Sequence, residues 1–316
     1  MKAVVCTKWG SLDALQLNEV EKPIPKDNEA LVKIHAASLN ATDVEILTGR
    51  SPKPKHKILG TDIAGRVETV GRNVKQFQPG DDVFGDLFSR GFGAFAEYVC
   101  VPENALMLKP ASMTFEEAST LPQAALLALQ GLRDKRQIQP GQKVLINGAG
   151  GGVGTFAVQI AKYFGSEVTG VDSAEKFEML RSIGADHTID YTKEDFTKSG
   201  QHYDLIIDVV VHRSIFDYMR ALYPKGICVM VGGSMTRVFF NAFLGLLISM
   251  IGSKKIGILM WKQNKKEDLA FIKELIEDGK IKPVIDKRYP LSEVPEALRY
   301  LKEGHARGKL VIIVQS

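Results

Sequence analysis

The stretch Val144-Leu145-Ile146-Asn147-Gly148-Ala149-Gly150-Gly151-Gly152-Val153-Gly154 decides the fold. Its apolar run predicts a buried strand over Lys143–Asn147. A helical pattern, Val153–Phe164, begins at once behind it. In the turn between them, missing Cβ atoms let the backbone bend tightly and approach an anion closely. The helix N-terminus adds unpaired N–H groups and the positive end of its dipole, which suits a pyrophosphate. Ala149, Gly150, Gly151, Gly152, Val153 and Gly154 are therefore the candidate cofactor-binding residues. Their frame is Ala149-x-Gly151-x-x-Gly154, with Ala in the place of the first glycine. Gly151 would permit the close approach, and Gly154 would let the helix pack against the strand. A Walker-type loop is excluded because no Gly-Lys-Ser/Thr follows. The same glycines would also suit a plain strand-to-helix turn.

The next predicted strand, Glu167–Val171, ends at Asp172, about 20 residues past the glycines, where an acid can hydrogen-bond ribose hydroxyls. Such an acid repels a 2′-phosphate and favours NAD. Ser173, Lys176 and Tyr191 stand close in sequence and could hold that phosphate, which would favour NADP. Asp172 also reads as a helix N-cap, and Lys176 and Tyr191 as ordinary surface residues. From here strands and helices alternate: a helix at Ala174–Ile183, strands near His187–Ile189 and at Tyr203–Val209, a helix near Ser214–Leu222 and a strand at Ile227–Val231. Apolar strands alternating with helices predict a parallel sheet covered on both faces.

The first third is different. Lys2–Cys6, Ala30–Ala36, Gly65–Val70 and Phe95–Val101 are short runs rich in Val, Ala and aromatics, punctuated by turns such as Gln78-Pro79-Gly80-Asp81-Asp82. They predict a small barrel or a curved antiparallel unit. Thr114-Phe115-Glu116-Glu117 has a capping-box layout and opens a helix. The tail carries an amphipathic helix over Lys266–Asp278, a helix ending at Gly304, and a last strand over Lys309–Val314.

The chain has 316 residues, a net charge of +4, 45% apolar and 25% charged residues. That balance suits a globular protein of two domains and is too weakly basic to imply a nucleic-acid partner. Three separated cysteines make neither a disulfide framework nor a metal pair, so a cytoplasmic location is expected. The N-terminal apolar run is too short for a signal-peptide core. The longest apolar stretch, Val238–Ile251, falls short of the roughly 18–20 residues that span a bilayer. Its breaks at Asn241, Gly245 and Ser249 line one narrow helical stripe, and nearly every other direction is apolar. Core or dimer contact, a wall for a bulky substrate, and weak docking on a membrane surface all fit it.

Together these residues resemble the medium-chain dehydrogenase/reductase superfamily, in its zinc-independent quinone oxidoreductase (zeta-crystallin-like) branch. The resemblance rests on Ser38-Leu39-Asn40-Ala41-Thr42-Asp43, Leu59-Gly60-Thr61-Asp62-Ile63-Ala64-Gly65, Val70-Gly71 and Pro79-Gly80-Asp81-Asp82-Val83-Phe84-Gly85. It continues through the glycine turn, Ser182-Ile183-Gly184-Ala185-Asp186 and Gly304-His305-Ala306-Arg307-Gly308-Lys309. It implies an α/β fold: a GroES-like β-barrel catalytic domain over residues 1–118, a Rossmann doubly wound parallel sheet over 119–267, and a tail over 268–316 that completes the first. It also implies a cleft for nicotinamide and substrate, and a homodimer through the last Rossmann strand. Asn40 and Asp43 match positions beside the nicotinamide and the cleft, and are the candidate catalytic residues; they also read as loop-capping polar residues. Two departures stand out: Leu127 where relatives often carry Thr, and Val209-Val210-Val211-His212 in place of a common Val-Gly-Gly turn.

No metal site is expected. A catalytic zinc needs three protein ligands and an open position. Asn40 stands where the zinc alcohol dehydrogenases carry Cys, and Thr61 where they carry His. The structural lobe of four cysteines is missing, and the histidines are scattered. Without a Lewis acid, acceptors that spread their own charge are favoured. The expected activity is NAD(P)H-dependent hydride transfer to a hydrophobic quinone or α,β-unsaturated carbonyl. The alternatives are an alcohol dehydrogenase with a degenerate metal site and a non-catalytic dinucleotide-binding sensor or scaffold.

Overall fold

The computed structural model describes residues 1–49, 54, 56–134, 138–233, 238, 240, 241, 244, 245 and 252–314. Backbone contacts divide the chain into two units. One comprises Met1–Leu126, Lys262–Glu277 and Pro283–Ser316; the other comprises Leu127–Trp261 and Asp278–Lys282.

The first unit holds β1 (Lys2–Cys6), β2 (Leu15–Glu19), β3 (Glu29–Ser38), β4 (Asp62–Val70), β5 (Asp82–Asp86), β6 (Tyr98–Pro102) and β7 (Leu106–Leu108). Strands β1 and β2 form an antiparallel pair of their own. The second unit holds β8 (Lys143–Asn147), β9 (Glu167–Asp172), β10 (His187–Asp190), β11 (Tyr203–Asp208), β12 (Leu222–Met230) and β13 (Lys255–Ile258). The chain then returns to the first unit for β14 (Ile285–Pro290) and β15 (Lys309–Ile313).

In the first unit a seven-stranded sheet runs β14-β15-β3-β4-β5-β7, with β6 also on β3. Residues 29–33 of β3 pair with β6, and residues 36–38 pair with β15. The C-terminal strand thus completes a sheet begun near the N-terminus. Ile34, Ile63, Phe95 and Leu310 lie in its core. The register places Ser38 opposite Asp62 and Asp62 opposite Asp86. Directly paired residues share a face of a sheet, so this row of polar side chains points one way, into the protein.

In the second unit all neighbouring strands are parallel, in the order β10-β9-β8-β11-β12-β13. The middle of β8 and most of β9 and β11 are buried without alternation, as in a sheet covered on both faces. The chain leaves β8 toward β9 on one side and takes up β11 on the other. That reversal of winding makes the carboxyl ends of β8 and β11 the natural place for a ligand crevice.

Some details depart from the sequence reading. The helix expected over 174–183 is a 3₁₀ turn (Ala174–Lys176) followed by a helix (Phe177–Ser182). Strand β12 begins at Leu222, earlier than the apolar run suggests. Most of Val238–Ile251 lies outside the described residues. Of those described, Asn241 is buried and donates to the Arg213 carbonyl (3.1 Å), and Gly245 packs against the Ile256 carbonyl, while Phe240 is 62% exposed. The polar stripe therefore faces inward there, because an amide and a bare backbone can meet carbonyls where a larger apolar side chain cannot.

Candidate functional site

Behind β8, the chain turns through Gly148 at φ 83°, a conformation that disfavours any side chain. Helix Gly152–Tyr163 follows, with Gly151 as its N-cap. A Cβ on Gly154 would lie 2.1 Å from the Gly148 carbonyl oxygen and 2.6 Å from two backbone atoms of Ala149. Helix and turn therefore close on each other only because that atom is missing. Gly151 is different: its φ is −86° and a Cβ there would meet nothing nearer than 3.5 Å. The fold itself does not need a glycine at 151, but a ligand lying against the backbone would. The first N–H groups of the helix have no partner within it. This open cradle fits a pyrophosphate.

Asp172 ends β9 and reaches the turn. Its Oδ2 accepts the Gly150 N–H (2.8 Å), its Oδ1 accepts the Ser173 N–H (2.9 Å), and the Lys176 ammonium stands 3.0 Å from Oδ1. Asp172 and Lys176 are both buried. A carboxylate has about four lone-pair sites, so room for a ribose hydroxyl remains. A Cβ on Gly150 would strike the Lys176 stem at 2.5 Å, so glycine there admits the pair. Ser173 stands at the mouth of the following turn, and the Tyr191 ring is exposed beside the end of β10. The structure thus gathers Gly150, Asp172, Ser173 and Lys176, and brings the Tyr191 backbone to the Asp172 carbonyl at 3.4 Å.

Asn40 and Asp43 lie in the first unit, at the start of the short helix Ala41–Leu47. Asp43 is fully buried; its Oδ2 accepts the Asn40 N–H (2.9 Å) and its Oδ1 accepts the Gly60 N–H (3.1 Å). The Asn40 side chain turns to Thr61 and Asp62, donating from Nδ2 at 3.1 and 3.0 Å. Its Oδ1 accepts from Lys309 Nζ at 2.6 Å. Lys309 also donates to the Leu39 carbonyl (2.8 Å) and stands 3.6 Å from Asp62 Oδ2, to which Ser38 donates at 3.3 Å.

Three buried carboxyls, Asp43, Asp62 and Asp86, thus share the neighbourhood of one buried ammonium. Burial pushes Asp43 up to about 7, against the two backbone N–H groups it accepts. Burial also raises Asp62, opposed by Lys309, and lifts Asp86 well above the usual carboxylate range, helped by the charge of Asp62. One Asp86 oxygen has no hydrogen-bond partner among the described residues. Within this group Asn40 has the largest exposed fraction, 8%. Lys309 and Asp62 were not singled out by sequence. The signal was a charged residue inside or opening an otherwise apolar strand, which needs a buried partner.

These donors do not fit a catalytic zinc. They are an amide, a hydroxyl and carboxyls, of which Asp62 is already paired with Lys309 and Asp43 with two backbone N–H groups; there is neither thiolate nor imidazole, from which zinc sites are mainly built. Among the described residues, no group of three or more His, Cys, Asp or Glu could hold a metal ion.

Comparison with known proteins places this geometry. Residues 26–111 match the alcohol dehydrogenase GroES-like domain family, and residues 183–312 match the zinc-binding dehydrogenase family. The 2-methylene-furan-3-one reductase of Solanum lycopersicum is 36% identical, over 99% of this chain and 79% of its own length. The chain belongs to the medium-chain dehydrogenase/reductase superfamily. Within the superfamily it falls in the quinone oxidoreductase branch, and it is an enzyme. The NADPH-dependent alkenal/one oxidoreductase of Arabidopsis thaliana is 32% identical over 99% of this chain and 79% of its own. A solved quinone oxidoreductase from Coxiella burnetii superposes with a TM-score of 0.90 at 30% identity, covering 100% of this chain and 99% of that one. No helix among the described residues is long and apolar enough to cross a membrane.

Proposed function

We propose that this medium-chain dehydrogenase/reductase uses NADPH or NADH to reduce hydrophobic α,β-unsaturated carbonyls and quinones without zinc. The observation that carries the reading is the cradle at the end of β8, open at Gly151 and closed at Gly154, in a chain whose buried polar group offers zinc no suitable donors. When bound, the reduced nicotinamide supplies a hydride to the β-carbon of an enone or to a quinone. The π pair of the acceptor then shifts toward oxygen, conjugation spreads the charge that zinc would otherwise stabilise, and the resulting enolate or hydroquinone anion takes a proton from water or a side chain.

The chain's own residues bind and orient. The N–H groups of Gly152, Val153 and Gly154, at the start of the helix, hold the pyrophosphate. Asp172 takes a ribose hydroxyl. Lys176 offsets the charge of Asp172 and, with Ser173 and Tyr191, allows a 2′-phosphate, so both dinucleotides are accepted. NADPH is named in the Arabidopsis relative. Asn40 meets the reactants as the most exposed member of its group. Asp43 is a positioning residue, since its oxygens hold the backbone before Asn40 and at Gly60. The proposal includes a cytoplasmic location, consistent with three cysteines that form no disulfide. It also includes a homodimer formed along β13, the edge strand of the parallel sheet.

The test is consumption of NADPH and NADH by the purified protein against enones and quinones, with metal analysis of the same sample. The saturated ketone or the hydroquinone should form without stoichiometric zinc. Tight NADPH binding with no turnover would favour a sensor; alcohol oxidation dependent on bound zinc would favour the alcohol dehydrogenase.

A further inference from the structure

The carboxyl end of β11 carries a second buried acid that the proposed chemistry does not use. Asp208 is fully buried and paired across the sheet with Asn147, the last residue of β8. Its Oδ1 accepts the backbone N–H groups of Val210 (2.8 Å) and Val211 (2.7 Å). Asn147 Nδ2 lies 3.1 Å from both of its oxygens, and the Tyr218 hydroxyl donates to Oδ2 at 2.7 Å. Burial and the Asp208 charge hold the Tyr218 phenol well above its usual range, so it stays a donor. These bonds tie the last residues of the two strands that flank the winding reversal.

They also hold a backbone conformation that a branched side chain resists. Val211 is buried and has φ 49°, in the left-handed region. Three glycines give the turn its room. A Cβ on Gly148 would lie 2.8 Å from Val210 Cγ2, one on Gly232 would lie 2.9 Å from the Val209 carbonyl oxygen, and one on Gly233 would lie 2.3 Å from that of Val210. The partly buried Val209 and Val210 are thus wedged between the phosphate-binding turn and the end of β12. Strained backbone that its surroundings over-determine is a pointer to function.

A dinucleotide whose adenosine ribose meets Asp172 at the end of β9 extends its other half past the β8 turn toward the ends of β11 and β12. We propose that Asp208 and Tyr218 are positioning residues. They lock the Val209–Val211 turn as a preformed apolar wall that orients the nicotinamide half of the bound dinucleotide. This rests on the dinucleotide reading above.

The test compares three probes by titration calorimetry: NADPH, reduced nicotinamide mononucleotide, and adenosine 2′,5′-bisphosphate, which lacks the nicotinamide half. Tyr218→Phe removes one hydrogen bond to a carboxylate and should weaken NADPH about tenfold, leaving adenosine 2′,5′-bisphosphate within about twofold. Val210→Ala, which leaves the clamp in place and trims the wall, should likewise weaken NADPH and spare adenosine 2′,5′-bisphosphate. Reduced nicotinamide mononucleotide should follow NADPH. Equal weakening of all three probes, or none, in both variants would overturn the assignment. If the native protein bound neither NADPH nor the bisphosphate, the dinucleotide reading itself would fall.

Discussion

Replacing Gly151 and Gly154 by alanine, one at a time, separates what the glycine turn does for the fold from what it does for a ligand. At 154 the new Cβ would sit 2.1 Å from the Gly148 carbonyl oxygen and 2.6 Å from Ala149 backbone atoms. Neither is the tip of a flexible side chain, so helix and turn must part. Overpacking of this kind costs about 1–3 kcal/mol, against a gain of about 1 kcal/mol or less from helix propensity. At 151 the nearest atom is 3.5 Å away and φ is −86°. The reduced freedom of the unfolded chain contributes about 0.4–1 kcal/mol, offset by alanine's poorer N-capping. Apo melting should therefore fall by several degrees in Gly154→Ala and stay within about 2 °C in Gly151→Ala. The affinity for NADPH, followed by nicotinamide fluorescence, should nonetheless drop at least about tenfold in Gly151→Ala, or about 1.4 kcal/mol. An alanine at 151 that left binding unchanged would refute the idea that the pyrophosphate lies against that backbone. An alanine at 154 that left melting unchanged would refute the packing argument.

Lys309→Met leaves Asp62 and the Asn40 carbonyl buried without their cation, so urea unfolding should show a loss of about 3–5 kcal/mol. Adding Asp62→Leu should recover part of it; a double variant worse by the full sum of the single losses would contradict the pairing. The folded Asp43 carboxyl, near 7 instead of its ordinary 3.8, binds its proton more tightly than in the unfolded chain. Its contribution to stability is present below the ordinary value and is lost as pH rises through about 7. The fall in unfolding free energy between pH 5 and pH 8 should therefore be smaller in Asp43→Asn than in the native protein. Lys176→Met should weaken NADPH more than NADH, and Asp172→Asn should weaken NADH more than NADPH; titrations in which both dinucleotides shift equally would remove these residues from the discrimination.

The parallel sheet was legible because its strands are continuous apolar runs and its central turn is spelled out in glycine. Lys143–Asn147 has the same bounds in sequence and structure. The antiparallel sheet was legible only as a class. Strand β5 reads Asp-Val-Phe-Gly-Asp, whose charged ends look like loop, yet Asp86 is buried against Asp62. Such a strand is recognised only when its partners are known. The same holds for the site. Gly150 and Asp172 could be placed by spacing, since strand, turn and strand are consecutive. The clasp of Lys309 on Asn40 joins residues that only the sheet order brings together, and that of Tyr218 on Asp208 depends on how the helix Ile215–Ala221 folds back on β11. Asn40 and Asp43 read alike in sequence; the structure separates them by burial and by what each side chain bonds.

The most direct test is a single reaction: NADPH, a hydrophobic α,β-unsaturated ketone and the zinc-stripped protein, with loss of reduced nicotinamide and appearance of product measured together. The account predicts one equivalent of saturated ketone for each NADPH consumed, and a Gly151→Ala protein that folds but needs far more NADPH to do it. If the stripped protein consumes neither NADPH nor NADH with enones or quinones, and added zinc restores turnover, the account is contradicted.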